Sequence, residues 1–150
     1  MVLNCKLLLL LLLISAETNG QGNHKKHDFA IVVGSCFEKD TITIKINGQN
    51  VIENAIVSSD FSTGITGISV YQDRNGLVGN WPNNRIEKDR LAITKTISIE
   101  LTINSVTKVT KLDLKKGKNI IIDKCKVSIT HGTAPHVVTF RQFKKQMVFE

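Results

Sequence analysis

The sequence predicts an all-β protein: a small antiparallel β-sandwich of about seven or eight strands, with a small β-barrel as the alternative. Three observations carry this reading. First, apolar and polar residues alternate with a period of two. Ile93, Ile97, Ile99, Leu101 and Ile103 point one way while Thr94, Thr96, Ser98, Glu100 and Thr102 point the other, the pattern of a half-buried strand. Second, β-branched residues are abundant and Ala is scarce, which favours strand over helix. Third, turn signals recur at short intervals between the alternating runs.

The first strand is expected over residues 28–33. The second, Thr41-Ile42-Thr43-Ile44-Lys45-Ile46, runs into Asn47-Gly48 and returns over 49–57. Asn-Gly is the strongest short hairpin signal, because a type I′ turn needs positive φ at both central residues. Further strands are expected over 65–71, 93–103, 107–114, 119–130 and 137–149. Ser58-Ser59-Asp60, Asp73-Arg74-Asn75-Gly76, Lys115-Lys116-Gly117-Lys118 and residues 131–135 carry the turn chemistry between strands. Only residues 85–92 have a pattern compatible with a helical turn or two.

The N-terminus reads differently. Lys6 precedes an unbroken apolar run over 7–14, followed by Ser15-Ala16-Glu17-Thr18-Asn19-Gly20. This is the form of a cleavable signal peptide, and the run is too short for a bilayer-spanning helix. Residues 1–20 are therefore expected to be a leader cut after Ala16 or Gly20, residues 21–27 a flexible mature N-terminus, and residues 28–150 a single sandwich domain. The expected location is secreted or periplasmic, with no transmembrane segment.

Charge is unevenly distributed. The chain of 150 residues carries a net charge of +7. Residues 21–104 hold nine basic and nine acidic residues, whereas residues 105–150 hold ten basic and three acidic ones. Such asymmetry fits a polyanionic partner; lysine-guarded strand edges are the plainer explanation. Cys36 and Cys125 survive processing, and in an oxidising compartment the pair suggests one disulfide, two separate buried thiols being the alternative.

The binding candidates come from these features. Gly79-Asn80-Trp81-Pro82-Asn83-Asn84-Arg85 reads as a polar loop around an indole. An exposed Trp81 could stack on the apolar face of a sugar while Asn83, Asn84 and Arg85 bond its hydroxyls; the alternative is that Trp81 folds back over the core. Lys124, Lys126, Arg141 and Lys144 are the cations expected to meet an anionic group. His131 and His136 with Asp123 are the one set that could converge on a metal, but their spacing matches no metal motif, so neither metal nor cofactor is assigned. No nucleophile elbow, phosphate loop or dinucleotide fingerprint is present.

The function read from sequence is a small secreted, non-catalytic binding module for a glycan or other anionic cell-surface polymer, with no nucleic-acid partner expected. A structural or assembly protein that pairs with another protein through a β-edge is the alternative, and an enzyme with an unrecognised, scattered site is the third reading.

Overall fold

The computed structural model describes residues 27–126 and 136–145; of Lys126 it describes the backbone alone. The leader, most of the N-terminal tail, the 131–135 turn with His131, and the ends of the 119–130 and 137–149 strands lie outside the described residues.

Ten strands form two open sheets, β1 (Phe29–Val33), β2 (Asp40–Ile46), β3 (Gln49–Val57), β4 (Ser69–Gln72), β5 (Leu77–Trp81), β6 (Asn84–Lys88), β7 (Thr96–Ile103), β8 (Val106–Asp113), β9 (Asn119–Lys126) and β10 (His136–Phe143). One sheet has six strands in the order β10-β9-β1-β4-β5-β6; the other has four in the order β3-β2-β7-β8. The fold is thus the all-β sandwich that alternation predicts. The sheets do not close into a barrel.

Alternation does what it should at the core. Ile42, Ile44 and Ile46 of β2, and Ile97, Ile99 and Leu101 of β7, meet Phe29, Ile31 and Val33 of β1 and Ile120 and Ile122 of β9. Each such side chain contributes about 1.5–3 kcal/mol by leaving water. The sheets approach most closely at β5 and β3: a Cβ on Gly79 would lie 2.5 Å from the Val51 carbonyl oxygen, so only glycine lets the layers meet there.

Four expectations are corrected. The strands number ten, because residues 77–88 form the β5–β6 hairpin. Trp81-Pro82-Asn83-Asn84 turns that hairpin, with Pro82 fixing its own φ and Asn83 at φ 63°, the combination of a type II turn. The pattern over 85–92 is not a helical turn: its first residues, through Lys88, belong to β6, which pairs with β5, and the rest carry no regular structure. The runs expected over 65–71 and 93–103 start later, at Ser69 and Thr96.

The sandwich is also not purely antiparallel: β1 pairs with β9 in parallel, with Val33 beside Ile122. A parallel pair needs a long crossover, and here nearly the whole of the other sheet is built between its two strands. The same 89-residue offset brings Cys36 beside Cys125, at disulfide distance with Cα atoms 5.0 Å apart. Among the described residues no helix is long and apolar enough to cross a membrane.

Candidate functional site

The strands of the sandwich end at two poles about 25 Å apart, the length of an eight-residue strand. One holds Cys36 and Cys125, the start of β2 and the end of β7. The other holds the starts of β1, β7 and β9 and the end of β8.

At the cysteine pole two cations, Lys124 and Arg141, are held by buried carboxylates. Lys124 lies on the inward face of β9 and reaches Asp40 at the start of β2, with Nζ–Oδ1 and Nζ–Oδ2 distances of 2.7 and 2.8 Å. Both partners are covered, the side chains being 17% and 2% exposed. The Glu38 N–H and the Asn104 side-chain amide also donate to Asp40. Burial pushes the Asp40 carboxyl up, but these donors and the Lys124 charge outweigh it and hold it below the ordinary carboxylate value. Asp123 is served similarly. Burial raises it, while the Ser35 N–H at 2.9 Å, the Arg141 guanidinium at 2.6 Å and the Ser35 hydroxyl at 2.8 Å bring it below its ordinary value. These two carboxylates tie β9 to the β1–β2 connection and to the opposite sheet.

The opposite pole is different. Its core is a clamp around Gln72, a fully buried side chain that donates to the Leu91 carbonyl and to Asp28, and accepts from the Leu91 N–H. The clamp draws the segment after β6 across the end of the sandwich. Arg90 is thereby brought to Asp28, with Nη2–Oδ2 at 2.8 Å. Lys95 is held where its carbonyl accepts from the Leu114 N–H at 2.9 Å. The β8–β9 turn is fixed by Asp113, whose carboxylate accepts from the Lys115 N–H, and by Gln142, which donates to the Asp113 and Gly117 carbonyls. Gly117 lies so close to the Phe143 backbone that an added Cβ would sit 2.6 Å from the Phe143 nitrogen.

The result is a cleft of about 340 Å³ floored by Ile93, Thr94 and Leu114 and rimmed by Arg90, Lys95, Lys115 and Lys118. Among the described residues Asp28 is its only carboxylate, and Arg90 already holds it. Burial raises the Asp28 carboxyl; bonds from Arg90 and Gln72 and the charges of Arg90 and Lys118 bring it below the ordinary value. Among the described residues, Lys95, Lys115 and Lys118 make no ion pair. Three ammonium groups thus share one concavity with no counter-charge of their own, and together with lysines 116, 144 and 145 nearby they give this pole an excess of positive potential.

The residues singled out from sequence do not gather at one place. Trp81, Asn83, Asn84 and Arg85 lie at the cysteine pole, toward the β6 edge of the six-stranded sheet. Trp81 is half-buried and packs against the core. Asn83 and Asn84 are exposed, and Arg85 pairs with Glu87 at 2.6 Å. Lys124, Arg141 and Lys144 lie on or beyond β9 and β10 toward the other edge, three to five strand spacings or about 14–24 Å away. Lys124 and Arg141 are ion-paired; Lys144 is exposed and follows β10 toward the basic pole. The Lys126 side chain lies outside the described residues. Of the possible metal set, His136 is exposed at the start of β10, the Asp123 carboxylate is engaged by Ser35 and Arg141, and His131 is not described.

Sequence reasoning missed Arg90 and Lys95. Both belong to the stretch whose charges sum to zero, and only the Gln72 clamp places them beside the β8–β9 turn. Lys115 and Lys118 were visible as part of the basic last third but were read as turn residues.

Comparison with known proteins finds no matching family model, no similar curated protein and no similar solved structure.

Proposed function

We propose that this protein is a small exported binding module without a catalytic site, and that its ligand is an anionic polymer, a charged glycan or another cell-surface polyanion, held at the basic pole. The observation that carries this reading is the cleft rimmed by Lys95, Lys115 and Lys118, which make no ion pair among the described residues. Elsewhere in the molecule, as at the covered Lys124 and the more exposed Arg141, cations are matched by buried acids. Export is supported by the leader-like first twenty residues and by a cysteine pair at disulfide distance.

Salt titration of binding to a sulfated or uronic-acid oligosaccharide, beside a neutral one of equal length, tests the ligand class. Affinity should fall as salt rises, with a log–log slope of about −2 to −3 if three lysines each displace a counterion. Replacing Lys95, Lys115 and Lys118 by Gln should flatten that slope; equal binding of the neutral sugar, or no binding at low ionic strength, contradicts the reading. N-terminal sequencing of the protein from its native source tests export, with a mature start at residue 17 or 21 expected.

One observation favours a second reading, assembly through a strand edge. β8 is the outer strand of the four-stranded sheet and exposes Val106 and Val109. An extended partner could add there by β-augmentation. Protection of β8 amides from hydrogen exchange at high protein concentration or with a co-purifying partner would support it.

A further inference from the structure

We propose a second binding site, separate from the basic pole: a groove between the sheets that takes the alkyl chain of an anionic amphiphile, such as a fatty acid or an acylated phosphate. The two sheets part where the edge strands β8 and β10 face each other. No backbone ladder joins these strands. Side chains bridge the seam instead: Lys108 of β8 donates to the Val138 carbonyl at 2.7 Å and lies 5.6 Å from the Phe140 ring centre.

Near the cysteine pole this seam opens into a groove of about 460 Å³. Its floor is Leu101 and Ile103, core residues of the opposite sheet, and its walls are Val106, Val137 and Val138. The size and the largely aliphatic lining are those of a small-molecule pocket, and the lining includes the buried core residues Leu101 and Ile103. Val106 at the mouth is 73% exposed. An apolar surface continuous from solvent to core suits a flexible chain that enters lengthwise.

The rim decides the head group. Among the described residues no carboxylate lines the groove, while Lys108 and His136 stand at its mouth. Lys124 also lines it but is spent on Asp40, and the Asn104 amide is spent on Asp40 and the Thr41 N–H. Lys108 makes one hydrogen bond to a carbonyl and has two further N–H donors. An anionic head beside Lys108 completes an ion pair; a cationic head meets like charge.

Three fluorescent probes with one alkyl chain and a carboxylate, hydroxyl or trimethylammonium head test this on the purified protein. The carboxylate should bind saturably, one per protein, and tighter than the alcohol by roughly tenfold, with the ammonium weakest. Lys108→Met, which keeps the stem, should erase the preference for carboxylate and leave alcohol binding in place. Val106→Glu, at an exposed position that spares the core, should weaken the carboxylate more than the alcohol; thermal melts verify that both variants fold. The Lys95, Lys115 and Lys118 Gln variant should bind the probes as the parent does, so failure of the polyanion reading leaves this one standing. Absence of binding by all three probes, equal affinity for carboxylate and alcohol, or a dimer by light scattering that excludes the probes would overturn it.

Discussion

The two poles of the sandwich hold cations in different settings. At the cysteine pole, Lys124 and Arg141 are matched by Asp40 and Asp123, carboxylates that are themselves buried and hydrogen-bonded. At the basic pole the one cleft carboxylate, Asp28, is held by Arg90, and three lysines remain unmatched. A cation paired to a buried acid is part of the framework, since removing either partner strands the other. A cation with no acid near it adds little to folding, and its repulsion from neighbours is relieved only by an anion from outside. Basic residues in a sequence therefore divide into paired and unpaired sets by their partners, not by their number.

The largest expected effect tests the framework pole. Replacing Cys36 and Cys125 by Ser should lower stability by about 4–5 kcal/mol on the chain-entropy account, because the cross-link closes a loop of nearly 90 residues. Urea denaturation with and without reductant measures it. Next comes Lys124→Ala, which leaves Asp40 covered and short of its main partner; a loss of about 3 kcal/mol is expected. Replacing both Lys124 and Asp40 by aliphatic residues should recover much of that loss, and failure to do so would mean the pair is needed for more than mutual neutralisation.

Arg141→Ala should cost less, about 1 kcal/mol, since the guanidinium is 57% exposed and solvent screens the pair. Acid sharpens the contrast further. Asp40, Asp123 and Asp28 all have folded-state values below the ordinary carboxylate value, so the unfolded protein binds protons first as pH drops. Their contribution is fully present above about pH 5 and is lost as pH falls below about 4 and through their folded values. Thermal melts across that range should show the decline, and Asp40→Asn should flatten it. The smallest effect belongs to the basic pole: Lys115→Gln and Lys118→Gln should change stability by less than about 0.5 kcal/mol. A large loss there would break the division between framework and ligand-facing charge.

The alternating strands were legible because their information is local. Ile97 to Ile103 specify a buried face by position alone, and Asn47-Gly48 specifies its turn by the φ angles the two residues tolerate, 50° and 84°. The β5–β6 hairpin was hidden because its strands are five residues each and carry Gly79, Asn80 and charged side chains where alternation would be read. Its turn chemistry, Pro82 followed by Asn83, was present and taken for a loop. Of the candidate site residues, Lys144 alone lies toward the unmatched cations; Trp81 covers core, and Lys124 and Arg141 are neutralised.

By itself the sequence determined the strand class and the core faces, since periodicity, backbone propensity and residue chemistry act over a few neighbours; that Cys36 meets Cys125 it only suggested. Only the tertiary structure decided which lysines are matched by acids. That depends on the parallel β1–β9 register and on the Gln72 clamp, contacts between residues far apart in the chain, and no count along the chain registers them.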